Sequence, residues 1–329
     1  MEIRWGILAP GTIARQFAQT LQDMKGEAVL AGAASRSLER AQAFCAEFGG
    51  KAYGSYQELL ASPDIDIVYV ASPHNLHYEQ VKMALEAGKP VLCEKSFTID
   101  AQQARELFAL AKEKNLFLME AFWTKFIPVN QKLMQLVQAG EIGQVRHVQA
   151  QYGYLTARHT RKMQADLAGG ALLDIGVYCI GFAAMMMGYE PQRICSTVTL
   201  NEQGTDDMDT ILLDYGDGHT AQLVAAIGTH IPLTAGVYGS EGWIDVPEFK
   251  VPQRAVVHKN DGSSYEIALP LESTGFEYQI REACRCVQQG RIASDIMTPE
   301  SSIATMAIMD ELRRQWGMKF PFEQDLPKT

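Results

Sequence analysis

The chain has 329 residues, 47% of them hydrophobic and 21% charged, and a formal net charge of -10. That length exceeds what a single core usually reaches, so two domains are expected, and an ordinary composition without low-complexity runs or a fixed repeat sets aside disordered and solenoid classes. Acidic overall, with Lys and Arg scattered along it, the chain offers no basic footprint for nucleic acid.

The opening Met1-Glu2-Ile3-Arg4-Trp5 runs straight into a strand-like segment, without the charged and then apolar pattern of a signal peptide. Over the first 120 residues, short aliphatic runs alternate with helical patterns. Strands are expected at 3–8, 28–33, 67–70, 91–93 and 117–119, which is the βαβ signature of a doubly wound parallel sheet. After the first strand comes Ala9-Pro10-Gly11-Thr12-Ile13-Ala14, an AxGxxA form of the dinucleotide fingerprint. Its glycine lets backbone approach a pyrophosphate, and the helix opening at Thr12 points N–H groups at the phosphates; a plain strand-to-helix turn reads the same way. Where a carboxylate would select NAD, the second strand ends in Ser35-Arg36-Ser37. A guanidinium and hydroxyls suit a 2′-phosphate, so NADP is expected over NAD, the alternative being a solvated Arg beside a helix cap.

Ser72-Pro73-His74-Asn75-Leu76-His77 and Cys93-Glu94-Lys95-Ser96 follow the strands at 67–70 and 91–93, at the carboxyl edge of the sheet where ligands bind. Ser72, Pro73, His74, Asn75, His77, Glu94 and Lys95 are therefore cofactor-side candidates, although turn residues and a solvated Lys would look alike. The boundary is placed at 122, giving a dinucleotide-binding domain over 1–122 and a substrate and dimerisation domain over 123–329.

Beyond it the pattern changes to a helix near 129–138, a strand near 145–152, and a helix from about 171 to 187. Its apolar core, 175–189, is short of the ~20 residues that span a bilayer. Asp174 and Tyr178 stand at i and i+4 there, on one face; a buried carboxylate needs a donor, and Lys95 could supply it while favouring the phenolate of Tyr178. A Tyr and Asp hydrogen-bonded within the core is the alternative. Residues 193–269 read as longer strands with hairpin signals at Gly216-Asp217-Gly218 and Asp261-Gly262, and helices at 276–289 and 299–316 close the chain. The fold class expected is α/β: a Rossmann domain followed by an α+β domain with a large, mainly antiparallel open sheet. The six cysteines suit reduced thiols and a cytoplasmic protein, and no His or Cys ligand set suggests a metal.

Together, Trp5 to Leu8 with the following turn, Ala34-Ser35-Arg36-Ser37, Val91 to Lys95, Met119-Glu120-Ala121-Phe122-Trp123 and Gly169 to Tyr178 resemble the Gfo/Idh/MocA oxidoreductases. Tyr at 178, where many members have His, is similar to the dihydrodiol- and xylose-oxidising branch. The resemblance implies hydride transfer between nicotinamide C4 and a carbinol carbon of a sugar, polyol or dihydrodiol. It also implies Tyr178 as acid/base, Lys95 as its electrostatic partner and Asp174 as a substrate-orienting carboxylate, with Trp123, Tyr154 and Phe276 near the substrate and Trp123 near the cofactor too. A homodimer covering the open sheet is expected, with no membrane partner; the alternative function is a non-catalytic dinucleotide sensor. His77 and His159 are the fallback acid/base groups. Ala9 replaces the family's usual Gly and Ser96 its Pro, so a trans Lys95–Ser96 peptide is expected, a non-proline cis bond costing about 2.5–4 kcal/mol.

Overall fold

A computed structural model describes residues 2–157 and 160–323, in two compact units. His159 lies outside the described residues. The first unit comprises Met1–Thr98, Gln102–Trp123 and Glu272–Ser302; the second comprises Ile99–Ala101, Thr124–Leu271 and Ile303–Thr329. The chain thus crosses near 123, and 272–302 return to the first unit.

Six parallel strands form the first unit's sheet: β1 (Ile3–Leu8), β2 (Ala28–Ala34), β3 (Lys51–Tyr53), β4 (Ile67–Val70), β5 (Val91–Glu94) and β6 (Leu118–Ala121), in the order β3-β2-β1-β4-β5-β6. The order reverses beside β1, the switch point at which open α/β sheets bind ligands. Helices α1 (Thr12–Asp23), α2 (Leu38–Phe48), α3 (Tyr56–Leu60), α4 (His77–Glu86) and α5 (Ala101–Lys114) connect the strands. Buried on both faces, β4 and β5 read for that reason as apolar runs, Ile67 to Val70 and Val91 to Cys93. Gly6 is required for packing, since a Cβ there would come within 2.7 Å of Leu59 Cδ2 on α3. Phe17 of α1 stacks on Tyr69 at 3.8 Å between centroids and meets Trp5 edge-on at 5.1 Å, all three fully buried.

The second unit is built on eight strands: β7 (Val145–Gly153), β8 (Arg193–Leu200), β9 (Asp206–Gly216), β10 (His219–Ala226), β11 (Ile231–Gly239), β12 (Gly242–Pro247), β13 (Arg254–Lys259) and β14 (Ser264–Ala268). The order is β14-β13-β12-β11-β7-β10-β9-β8, antiparallel throughout except for the parallel β7–β10 seam. Both hairpin signals fall where expected, between β9 and β10 and between β13 and β14. Helices α6 (Pro128–Gln138) and α7 (Val177–Met187) precede and follow β7; α8 (Glu277–Gln288) and α9 (Pro299–Trp316) close the chain. By length and composition the stretch Ala165–Met187 could cross a membrane, yet it is core: from Val177 to Met186 only Met185 is not buried.

One element departs from expectation where it matters. The helix read over 171–187 is not α-helical throughout: Leu172–Gly176 form a π turn, with Val177 N–H donating to Leu172 C=O five residues back, before α7 begins. Asp174 and Tyr178 are therefore not successive-turn neighbours on one regular helix. Single π turns carry an extra residue and recur at functional sites. Asp206, fully buried at the start of β9, accepts the N–H of Leu172 and so fixes where this turn begins. Burial pushes the carboxyls of Asp206 and its neighbour Asp209 upward.

Candidate active site

In the first unit the carboxyl ends of β1, β2, β4 and β5 carry the nucleotide-side candidates. Ala9 lies at φ 61°, the left-handed region that costs an L-residue roughly 1–2 kcal/mol and favours glycine, and closes a tight turn in which Gly11 N–H donates to Ala9 C=O at 2.8 Å. Pro10 and Ile13 are half-buried, while Gly11 and Thr12 are exposed. Gly11 sits at φ −100°, open to any residue, and a Cβ there would meet nothing closer than Ala9 O at 3.8 Å. The fold itself does not need that glycine, which leaves the backbone open to a ligand's approach. No side chain caps α1, and its first turn holds no acid, so its N–H groups are available to an anion.

At the end of β2, Ser35 is buried and its hydroxyl accepts Ser37 N–H at 3.3 Å, while Ser37 caps α2 and Arg36 is exposed. Arg36 opposes the burial that pushes the Tyr56 phenol upward, which places its charge near that ring. Ser72, 8% exposed after β4, carries a buried hydroxyl with no partner among the described residues. An open glycine, an uncapped helix start and an orphaned hydroxyl fit a dinucleotide phosphate.

His77 takes a different place. It is fully buried, with Nδ1 at 2.9 and 3.2 Å from the carbonyl oxygens of Ser96 and Phe97 and Nε2 at 2.8 Å from that of Ser72, so it ties the loop after β4 to the loop after β5. Burial pushes its pKa down. His74, buried, meets the His77 ring edge-on at 5.7 Å, and Asn75 and Pro73 are half-buried.

Lys95 is half-buried and its N–H donates to Glu94 Oε2 at 3.2 Å; Tyr69 donates its hydroxyl to the other oxygen of Glu94. Glu120, also buried, accepts Phe97 N–H at 3.2 Å, and burial pushes it up to about 7, with Glu94 acting in the same direction and Lys95 opposing. The Lys95–Ser96 peptide is cis, against the trans geometry expected from the loss of proline. Contacts on its C-terminal side, the His77 ring on Ser96 C=O and Glu120 on Phe97 N–H, hold this segment, and local residue type alone does not report them. Trp123, 8% exposed, packs on Phe276 with centroids 4.5 Å apart. Phe276 is 1% exposed and also meets Phe17 edge-on, so its ring is core beneath Trp123.

The second unit gathers the proton-transfer candidates. Tyr154, just past β7, donates its hydroxyl to Asp174 Oδ2. Lys162 Nζ donates to the Tyr154 hydroxyl at 2.6 Å and lies 3.3 Å from Asp174 Oδ2. The donors that Asp174 requires thus include Lys162 and Tyr154 of its own unit, where the sequence offered Lys95. Burial first, and then the Asp174 charge, push the Tyr154 phenol well above its usual range and keep it a hydrogen-bond donor. Tyr178, 6% exposed, has the Lys250 ammonium 5.4 Å from its ring centroid, and the same ammonium lies 5.4 Å from the ring of Tyr152. Lys162, Tyr152 and Lys250 escaped the sequence reading. Tyr152, on β7 two residues before Tyr154, could have been found by its period; Lys162, in a single turn of 3-10 helix over Arg161–Met163, and Lys250, in the turn after β12, belong to no motif.

Two family models match the chain, one described as an oxidoreductase family with an NAD-binding Rossmann fold over residues 3–122 and one as the GFO/IDH/MocA C-terminal domain over residues 130–245. The trans-1,2-dihydrobenzene-1,2-diol dehydrogenase of Xenopus laevis is 34% identical, over 98% of this chain and 100% of its own. The chain belongs to the Gfo/Idh/MocA oxidoreductase family. The human trans-1,2-dihydrobenzene-1,2-diol dehydrogenase is 33% identical over 98% of this chain and 99% of its own. Among solved structures, a 3-ketoreductase from Actinomadura kijaniata in complex with NADP and TDP-benzene matches with a TM-score of 0.87 and 31% identity, over 95% of this chain and 98% of its own. The resemblance read from the motifs and the fold class is borne out, and with relatives named as enzymes the dehydrogenase reading stands over that of a non-catalytic sensor.

Proposed function

We propose that this Gfo/Idh/MocA oxidoreductase is an NADP-dependent dehydrogenase acting on a carbinol group of a sugar, polyol or dihydrodiol, with Tyr178 exchanging the hydroxyl proton. The observation that carries the reading is the Lys162–Tyr154–Asp174 cluster at the π turn that leads into Tyr178: a half-buried carboxylate, its side chain 12% exposed, held by donors at the start of an apolar helix. Such an arrangement costs desolvation and serves recognition of substrate hydroxyls better than it serves the core. The dinucleotide supplies the hydride acceptor; Ala9 to Ile13, Ser35, Arg36 and Ser72 would hold it, and Asp174 would orient the hydroxyl that Tyr178 deprotonates. Lys95 enters as the cation that favours the phenolate, on the strength of the family motif. A panel including trans-1,2-dihydrobenzene-1,2-diol, aldoses and polyols, run with NADP and with NAD and followed by NADPH or NADH absorbance, tests the reading; no turnover with any of them refutes it.

The preference for NADP rests on Arg36, exposed at the end of β2 with no carboxylate in that loop. Losing a charge-assisted bond to the 2′-phosphate should cost on the order of 1.5–3 kcal/mol. Titration should therefore show Arg36→Ala binding NADP about 10- to 100-fold more weakly with NAD affinity unchanged. Equal affinity of the native protein for both dinucleotides would count against it.

A homodimer is the proposed assembly. Across the outward face of the second unit's sheet, His147, Tyr238, Trp243 and His258 pair on neighbouring strands, with His147 stacked on Tyr238 at 6.0 Å and Trp243 on His258 at 4.6 Å. Trp243 is 36% exposed there, and Leu212, on β9, is 40% exposed, an apolar surface that a second copy would cover. Light scattering at micromolar concentration should give twice the 36.4 kDa chain mass, and a monomer mass would overturn the assembly. The proposed location is cytoplasmic, in keeping with six cysteines that are all free.

A further inference from the structure

Tyr178 stands in the first turn of α7, and Phe182, one turn on, shares its face. A tight turn from the end of β12 packs along this face. Its backbone closes with Val251 N–H donating to Glu248 C=O at 2.8 Å, and Glu248 N–H donates to Leu233 C=O at 2.9 Å. Phe249, fully buried, packs on Phe182 with centroids 5.1 Å apart, and the next residue, Lys250, brings its ammonium to 5.4 Å from the ring of Tyr178. Two successive turn residues thus meet two successive turns of α7.

The backbone of this pair is fastened from elsewhere in the unit. Asn130 Nδ2 donates to Phe249 C=O at 3.0 Å, and Thr124 Oγ1 donates to Lys250 C=O at 2.8 Å. Asn130 also donates to Thr124 C=O at 2.9 Å, which joins the two fasteners. Fully buried polar side chains spent on the carbonyls of residues 249 and 250 fix where the Lys250 stem leaves the chain. Its ammonium is then shared between the rings of Tyr152 on β7 and Tyr178 on α7, at the same 5.4 Å from each. An ammonium held against the negative face of a ring restrains that ring's rotation, and the restraint strengthens where water is scarce.

We propose that Lys250 is a positioning residue for Tyr178: anchored through Phe249, Thr124 and Asn130, its ammonium sets the rotation of the tyrosine ring and so the direction of its hydroxyl. The inference rests on the reading of Tyr178 as the acid/base. Misplacing a reacting group by about 1 Å can cost 10²-fold in rate, so a loss of tenfold or more is expected when the restraint is removed.

The test is steady-state kinetics of the full chain on whichever panel sugar, polyol or dihydrodiol is turned over. Lys250→Gln should lower kcat about 10- to 100-fold with KM for NADP and the melting temperature unchanged, and Lys250→Arg, whose guanidinium also sits on aromatic faces, should recover most of the rate. In a Tyr178→Phe background, Lys250→Gln should change the residual rate no further, because groups that act as a unit are not additive. Wild-type kcat in Lys250→Gln, an equal loss in both backgrounds, or no recovery by Arg would each overturn the inference. The underlying reading fails separately: Tyr178→Phe at wild-type rate, or a panel without any turnover, removes the acid/base and this inference with it.

Discussion

Tyr178→Phe should lower kcat on a verified substrate by about 10²- to 10⁴-fold, the range that a positioned acid/base contributes, while leaving the affinity for NADP unchanged. The substitution removes one oxygen and keeps the ring, so the packing of α7 and the ring's contact with Lys250 survive, and the residues proposed to hold the dinucleotide belong to the other unit. Equilibrium binding of NADP and the melting temperature serve as controls for a folded, loaded enzyme. Lys95→Met should lower the rate as well, since a cation that favours the phenolate is lost. Wild-type turnover by Tyr178→Phe would falsify the assignment. His77 is a poor substitute, being fully buried with both ring nitrogens at backbone carbonyls.

Glu120→Gln should stabilise the protein at alkaline pH by up to about 3 kcal/mol. The folded protein holds this carboxyl at about 7 against its usual 4.5, burial being the main cause. Below the lower value the group is protonated in both states and its titration contributes no penalty. Between the two values the unfolded chain releases the proton while the folded one keeps it, so stability falls as pH rises. Above about 7 the whole penalty is in place, on the order of 3 kcal/mol for that displacement. Glutamine keeps an acceptor for Phe97 N–H and carries no charge. Denaturant midpoints for both proteins should coincide near pH 4.5 and diverge by pH 8 in favour of the variant; coincidence at pH 8 as well would show that the charge is not costly there.

What could be read from the residues divides along physical lines. Strands β4 and β5 announce themselves because a parallel strand covered on both faces must be largely apolar. By contrast β3 is three residues, Lys51-Ala-Tyr53, too short for any period, and it is held by pairing with β2. The motif residues Gly11, Arg36, Lys95, Asp174 and Tyr178 were legible because their chemistry is tied to strand ends and a helix start. Lys162 and Lys250 were not, since each is a lone lysine outside any motif and is marked out only by the tyrosine ring it lies against. The π turn was hidden for a related reason. Its apolar residues satisfy helical periodicity, and the extra residue shows only in which carbonyl each N–H reaches.

The return of residues 272–302 to the first unit bears on how the chain is made. Phe276 fills the space between Phe17 and Trp123, Thr274 and Thr20 share a hydroxyl–hydroxyl bond of 2.6 Å, and Arg281 pairs with Glu27 at 2.8 Å. A nascent chain that has emerged only as far as Trp123 lacks all three, and shows solvent the side of Phe17 that Phe276 later covers. Synthesis from the N-terminus therefore cannot deliver the nucleotide-side unit finished before the second unit is made; the first unit waits, with its core open, for some 150 residues to pass. During that interval the uncovered apolar surface around Phe17 is open to aggregation.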